Sequence, residues 1–387
     1  MKMHILLTGL VSKTTVSGGD QLILDLVPHL PKELDIVVIT PDFVRKYWVT
    51  IKRKNLKVIT VPTNKFDFSP NPIAIFFSYC IRALQVYRVL KKEKNIEILF
   101  SCSDIAYADI WPAYFIVGRN RQIKWITRIY HVLLKPGKRR GDYLTNFFAF
   151  YLQRLCFWMI KKRSRYILAI NKKLKKEILD LGFPKNKTGI LEAGVDFNKI
   201  KSFVPDKKYS YDVVAMGRIA PEKGIFDIVK IWKKVLNSNS TYNMAWIGGG
   251  NQNHTKKLQL LIQKEKLTNS FHLLGFIDKK EVFNILKSAK VFICSDHENG
   301  WGLAVCEAMS CGLPVVSYDI DIFGGVYKKG FLSAKLFDTD NFANNLIKVL
   351  KDNTLRKKLG RQALSQVSLF RHEKVAKVLM RYLSRSI

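Results

Sequence analysis

The chain has 387 residues, 48% of them apolar, and carries 65 Lys and Arg against 31 Asp and Glu, a formal charge of +34. It can bury a large core, and since single cores split beyond roughly 250–300 residues, two domains are expected. The charge concentrates polyanions at the surface, so nucleic acid, an anionic membrane and phosphate-bearing small molecules are the partner classes it admits, part of the excess being attributable to a general bias toward Lys. None of the six cysteines (Cys80, Cys102, Cys156, Cys294, Cys306, Cys311) has the CxxC spacing of a zinc or redox site, so a reduced, cytosolic chain is expected.

The opening stretch MKMHILLTGLVSK is interrupted too soon for a signal peptide, and no run is read as reaching the ~20 apolar residues that cross a bilayer. Short segments rich in branched apolar residues then recur: MHILLTGL, LDIVVIT, LKVITVP, IEILFSC, KWITRIYH, RYILAIN and TGILEAGV. Amphipathic segments separate several of them, which predicts a parallel sheet flanked by helices. Within this half, SGGDQLILDLVPHL is a glycine-led helix start where Asp20 can act as a cap, and His131 ends a strand. Residues 138–165, KRRGDYLTNFFAFYLQRLCFWMIKKRSR, hold eight Lys and Arg against Asp142 around an aromatic run from Phe147 to Ile160. One reading lays Phe147, Phe150, Tyr151, Phe157 and Trp158 in a membrane interface; the other packs Leu152, Leu155, Cys156 and Met159 on the sheet and leaves the basic ends solvated.

The polar stretch VDFNKIKSFVPDKKYSYD places a domain boundary near residue 200, giving domains 1–200 and 201–370 and a terminal helix over 371–387 that returns to the first. The alternation resumes with VVAMG, NMAWIGGG, FHLLGF, KVFICS and LPVVSYD. In the helix after VVAMG, Ile225, Ile228, Val229, Trp232, Val235 and Leu236 keep helical spacing, and the turn residues from Asn237 to Ser240 close it.

Open α/β sheets bind ligands outside the carboxyl ends of their strands, so the polar clusters that follow strands are the candidates. In MGRIAPEKG, Arg218 leaves the strand and Lys223 precedes Gly224 at a helix mouth, an arrangement that suits a diphosphate or is a pair of solvated cations. WIGGGN and LGFID end two further strands, where Gly249, Phe276 and Ile277 either meet a ligand or turn and pack the chain. In SDHENGWGLAVCEAMSCGLPVV, Gly300 and Gly302 permit close approach, and Leu303 to Ser310 form a short helix ended by Gly312 and Pro314. Glu307 leans back toward the loop, where it accepts two ribose hydroxyls or satisfies its own helix terminus. Asp319/Asp321 and Asp338/Asp340 have DxD spacing but lie beside no phosphate cluster, so no metal is expected.

Taken in order, GR-x4-KG in residues 217–224, GGG in 248–250, GF in 275–276 and an E-x7-E region in 298–307 resemble the GT-B glycosyltransferases, specifically the retaining enzymes of glycosyltransferase family 4. The resemblance covers nearly the whole carboxyl half and, more loosely, the amino half. It implies an α/β fold of two doubly wound Rossmann-like domains facing across a cleft, the first for the acceptor and the second for the nucleotide sugar. It implies that Arg218, Lys223 and Gly217 hold the donor diphosphate and Glu307 its ribose, that Gly18 and Gly19 approach the phosphate, and that His131 faces the sugar. The first acid of the E-x7-E pair is replaced: Asn299 stands at that spacing and Glu298 one residue earlier, so either an amide or a bulged loop makes the sugar contact. The implied activity is metal-independent, retaining transfer of a hexose-type sugar from a UDP-, GDP- or ADP-sugar to a lipid-linked or glycan acceptor at the inner face of a membrane, in cell-envelope glycan or glycolipid synthesis. A catalytically silent sugar-nucleotide binder and a basic nucleic-acid-binding protein are the rival classes; no RNA- or DNA-binding module is recognisable for the second.

Overall fold

The computed structural model describes residues 1–9, 18–69, 71–103, 107–137, 143–206, 208–298 and 300–384. Among the described residues, thirteen strands fall into two all-parallel sheets. The first contains β1 (Lys2–Leu6), β2 (Asp35–Pro41), β3 (Leu56–Val61), β4 (Ile98–Ser101), β5 (Lys124–Ile129), β6 (Tyr166–Ala169) and β7 (Thr188–Ile190), in the order β3-β2-β1-β4-β5-β6-β7. The second contains β8 (Val213–Met216), β9 (Met244–Ile247), β10 (Phe271–Gly275), β11 (Val291–Cys294), β12 (Val315–Asp319) and β13 (Phe331–Lys335), in the order β10-β9-β8-β11-β12-β13. Twelve of these coincide with the apolar runs named above. β13 does not, because FLSAK is an edge strand with one buried residue, Ala334, and its sequence carries no buried-strand signature.

The first unit comprises residues 1–194 and 372–387, the second 195–371. Helices α1 (Gly18–Leu26), α2 (Arg45–Trp48), α3 (Pro72–Lys92), α4 (Tyr107–Arg119), α5 (Tyr143–Arg163) and α6 (Lys172–Asp180) belong to the first. Helices α7 (Phe197–Ser202), α8 (Ile225–Ser238), α9 (Gln252–Lys264), α10 (Lys279–Ser288), α11 (Leu303–Ser310), α12 (Asp321–Val326), α13 (Thr339–Lys351) and α14 (Asn353–Val367) belong to the second, and α15 (His372–Ser384) closes the first. The first crossing thus lies at 194/195 instead of 200/201: Val195 bridges Arg371, and α7 packs on α11. In α15, Val375, Ala376, Leu379 and Leu383 join the core around Ile5, Ile23 and Leu26. Each such buried side chain contributes about 1.5–3 kcal/mol relative to exposure.

Two expectations about the first unit need correction. By length and composition α3 does qualify as a membrane span, with 21 residues and a mean hydropathy of 1.4 over its best 18-residue stretch. Arg82 and Arg88 break its apolar run in the sequence. In the fold α3 lies along α4, and Arg82, 2% exposed, pairs with Asp67 at 2.5 Å. Helix α5 divides its apolar residues differently from either sequence reading: Phe150 and Phe157 are buried with Cys156, Met159 and Ile160, whereas Leu155 is exposed. The exposed stripe runs through Leu144, Phe147, Tyr151, Leu155 and Trp158 at helical spacing, and Phe77 of α3 and Phe115 of α4 are likewise exposed. Residues 138–142, the basic start of that segment, lie outside the described residues.

Chain order reverses between β1 and β4 in one sheet and between β8 and β11 in the other. Such switch points open a crevice beyond the strand ends, because the flanking crossovers leave to opposite faces.

Candidate functional site

The ends of β8, β9 and β10 are laced together by glycine backbone. Ile219 N–H donates to Gly249 O at 2.8 Å, Gly248 N–H to Gly275 O at 2.8 Å, and Trp246 Nε1–H to Gly217 O at 3.0 Å. A Cβ at Gly249 would stand 2.5 Å from the Phe276 ring, so the ring lies over that glycine while remaining 73% exposed. An exposed aromatic face on a rigid backbone shelf is suited to stacking a planar base.

Across the switch point, the loop after β11 is fastened to the turn after β8. Ser295 Oγ donates to Lys223 O at 2.7 Å, and His297 N–H donates to Glu222 O at 2.9 Å. Gly224 adopts φ +63°, and a Cβ there would sit 2.1 Å from Ser295 O, so glycine is required both for the left-handed backbone and for the contact. His297 Nε2 lies 2.8 Å from Asp227 Oδ2, which also accepts from Tyr318 OH at 3.1 Å, and the imidazole packs edge-on against Phe337. Two cations reach this mouth. Lys223 Nζ is 2.5 Å from Asp296 Oδ2, with the carboxylate almost buried, and Arg218, 72% exposed, pairs with Glu222 at 3.2 Å. Asp296, His297, Asp227 and Tyr318 escaped the sequence reading; the only signal for the first was its place directly after a strand end.

Helix α11 opens at Gly302, φ +85°, which has no side chain to cap the helix. The loop before it is anchored by Trp301, buried against Phe370, and by Tyr327, whose hydroxyl donates to Trp301 O and Gly302 O. Leu303 begins the helix, and Glu307, one turn on, is partly buried with its carboxylate 4.0 Å from the Lys279 ammonium of α10. Glu307 therefore faces the loop that carries Phe276 and Ile277. Glu298 and Gly300 are exposed at the loop tip, and Asn299 lies outside the described residues. Of the DxD candidates, Asp338 caps α13 at Asn341 N–H and Asp340 pairs with Lys234. Asp319 is exposed at the end of β12.

In the first unit, Gly18 and Gly19 start α1, and Tyr130 at the end of β5 donates to Gly19 O at 3.0 Å. His131, next in sequence, is exposed, and its carbonyl accepts from Gln153. Asp20 sits inside the first turn of α1, 7% exposed. At the β1/β4 switch point Thr8 N–H donates to Asp109 Oδ1 at 2.9 Å and Arg82 donates to Thr8 O at 2.6 Å. Burial pushes the Asp109 carboxyl up to about 8, against the lowering effect of the Thr8 hydrogen bonds.

In the second unit Arg218, Lys223 and Gly217 follow β8, Gly249 follows β9, Phe276 and Ile277 follow β10, and Gly302, Leu303 and Glu307 lie at the start of α11; between them they offer cations, uncapped helix starts, a carboxylate and an aromatic shelf. The family "Glycosyl transferases group 1" matches residues 196–366. A glycosyltransferase of Methanocaldococcus jannaschii, itself uncharacterized, is 23% identical over 364 residues, 90% of this chain and 89% of that protein. The UDP-Gal:alpha-D-GlcNAc-diphosphoundecaprenol alpha-1,3-galactosyltransferase of Escherichia coli is 26% identical over 209 residues, 50% of this chain and 53% of that one. Among solved structures, HepE from Anabaena in complex with UDP superimposes with a TM-score of 0.77 at 14% identity, covering 99% of this chain and 100% of HepE, and it has also been solved with UDP-glucose. The fold is GT-B.

Proposed function

From the match of residues 196–366 to the glycosyl transferases group 1 family, we propose that the protein moves a hexose-type sugar from a nucleoside-diphosphate sugar to a hydroxyl acceptor, with retention at the anomeric carbon. What carries this reading is the cation pair Lys223 and Arg218 in the turn after β8, with Lys223 tied to the loop after β11, together with the exposed ring of Phe276 after β10 and the Glu307 carboxylate near Lys279 at the start of α10. Lys223 and Arg218 take the diphosphate, the Glu307 carboxylate takes the ribose hydroxyls, and Phe276 supports the base. Departure of the nucleoside diphosphate develops negative charge on phosphate, so fixed cations and helix starts aimed at it stabilise the transition state more than the ground state. Two cations supply that stabilisation without a divalent metal. Retention follows when the acceptor attacks from the face the diphosphate leaves, which requires no enzyme nucleophile. Either Glu298, exposed at the loop tip, or Asn299, next to it in sequence, is assigned to the donor sugar. UDP is the first donor to test, because HepE binds UDP and UDP-glucose.

We assign the acceptor to the amino-terminal unit, and an anionic membrane as the place where a lipid-linked acceptor is met in envelope glycan or glycolipid synthesis. The exposed stripe on α5 and its flanking cations support this: Lys162 lies over the Trp158 ring at 4.5 Å, and the E. coli relative is named for a diphosphoundecaprenol acceptor. The deciding experiment is turnover of radiolabelled UDP-, GDP- and ADP-sugars in chelator, with hydrolysis as the acceptor-free readout. Activity that appears only when Mg²⁺ or Mn²⁺ is restored refutes the metal-free mechanism, and binding without turnover of any donor leaves a sugar-nucleotide binder.

A further inference from the structure

We propose that Asp296 drives product release by holding a fixed negative charge beside the cation that receives the diphosphate. The inference rests on the reading of this mouth as a nucleotide-sugar site.

Asp296 Oδ2 stands 2.5 Å from Lys223 Nζ, and its side chain is 9% exposed. Three bonds hold it there. Ser295 Oγ–H to Lys223 O, His297 N–H to Glu222 O and His297 to Asp227 bracket residue 296 on both sides, and Gly224 lies against Ser295 with no room for a Cβ. These bonds fix the backbone of residue 296 beside Lys223, so its carboxylate stays within reach of the ammonium. It need not move away for a ligand to bind, since an ammonium has three N–H donors and engages phosphate with those Asp296 leaves. A phosphate bound to Lys223 therefore sits a few ångströms from a carboxylate that stays.

That neighbour treats donor and product differently. Each phosphate of a nucleotide sugar is disubstituted and has a single ionisable oxygen, whereas the terminal phosphate of the free nucleoside diphosphate is monosubstituted, has a second ionisation at about pH 6, and near neutral pH carries more negative charge. The repulsion from Asp296 is thus greater for product than for donor: in a partly desolvated site at this separation it is worth about tenfold in affinity for the product and about threefold or less for the donor. The same charge opposes the transition state, in which the leaving group approaches its product charge. Asp296 accordingly slows the chemical step and hastens departure, which raises turnover only where release is limiting. Glu222, paired with Arg218 and 32% exposed, has the same sign but is screened by solvent.

The test is isothermal calorimetry and kinetics on the full chain with Asp296→Asn and, as a second variant, Asp296→Ser, each first checked for an unchanged unfolding temperature in the absence of ligand. The ligands are the pairs UDP/UDP-glucose, GDP/GDP-mannose and ADP/ADP-glucose. In both variants the diphosphate that the wild type binds should tighten about tenfold and its sugar ester about threefold or less. Inhibition by product should sharpen, steady-state turnover fall and the single-turnover rate rise. Weaker diphosphate binding shows instead that Asp296 only positions Lys223, and equal tightening of both ligands removes the discrimination; either overturns the proposal while leaving the nucleotide site intact. A wild type that binds none of the diphosphates, or binds one equally well after Lys223→Ala, overturns the site itself.

Discussion

Replacing Gly224 by Ala tests whether the docking of the two loops is what builds the mouth. Two costs add at this position. The left-handed backbone, φ +63°, costs a residue with a Cβ about 1–2 kcal/mol. The added carbon would also lie 2.1 Å from Ser295 O and 2.8 Å from Ser295 Cβ, both on the loop after β11, and a backbone carbonyl cannot turn aside as a flexible side chain can. Relieving that overlap needs a shift of about 1 Å, worth a further 1–3 kcal/mol. Gly312 is the control. Its φ is +83°, but a Cβ there meets only Leu364 at 3.5 Å, an ordinary contact, so Gly312→Ala carries the conformational cost alone. Guanidinium unfolding of the full chain should therefore show Gly224→Ala less stable by roughly 2–5 kcal/mol and Gly312→Ala by about 1–2 kcal/mol. Calorimetry should show loss of UDP affinity in the Gly224 variant only, because the shift moves Lys223 against Asp296. Equal destabilisation by the two substitutions, or unchanged nucleotide affinity in Gly224→Ala, would refute the reasoning.

Lys223→Ala should lower kcat/KM by about 2–4 kcal/mol, the scale of one lost transition-state donor, and should also lower the unfolding temperature by stranding Asp296. Adding Asp296→Asn should restore the stability but not kcat/KM; restored activity would show that the lysine serves the fold alone. Glu307→Gln should weaken UDP while leaving inorganic pyrophosphate unchanged, since an amide offers only one acceptor atom to the ribose; calorimetry with both ligands decides, and equal losses would place Glu307 at the phosphates. Asp109 gives a pH dependence whose sign is fixed by its raised folded value of about 8. The folded chain keeps a proton that the unfolded chain sheds near pH 4, so the stability from this group is full below that pH and is lost as pH rises toward 8, roughly 4 kcal/mol between pH 4 and pH 8 as an upper bound. Asp109→Asn should flatten that decline in denaturant midpoints across pH 5–9, and an unchanged slope would mean that Asp109 is ionised throughout. Co-sedimentation with vesicles of rising anionic-lipid fraction should capture the wild type at low salt and lose the double variant Tyr151→Ser, Trp158→Ser. Wild type that stays in the supernatant at every composition would exclude the membrane. Arg163 is not a useful target there, because its guanidinium donates to Tyr114 O and packs over the Tyr114 ring, fixing α5 to α4.

Strand positions were legible because a strand buried on both faces must be a short run of branched apolar residues, as in VVAMG or KVFICS, whatever its neighbours are. The bounds of α11 were equally local: a glycine lead, eight helix-forming residues, then Gly312 and Pro314. Strand adjacency is not local. Nothing in the order of the runs says that β11, some 75 residues beyond β8, is its hydrogen-bonded neighbour, and without that pairing Asp296 is one more acid after a strand instead of the partner of Lys223. β13 was missed because an edge strand half in water needs no apolar run. The faces of α5 were undecidable for the opposite reason. A helix apolar around its whole circumference has no periodicity to read, so only the packing of α4 and α3 against it determined that Phe157 goes in and Leu155 stays out. Local backbone and solvent preferences thus set the elements and the motif residues, while the pairing of charges brought together from distant segments, on which the chemistry of the mouth depends, was decided only by the tertiary structure.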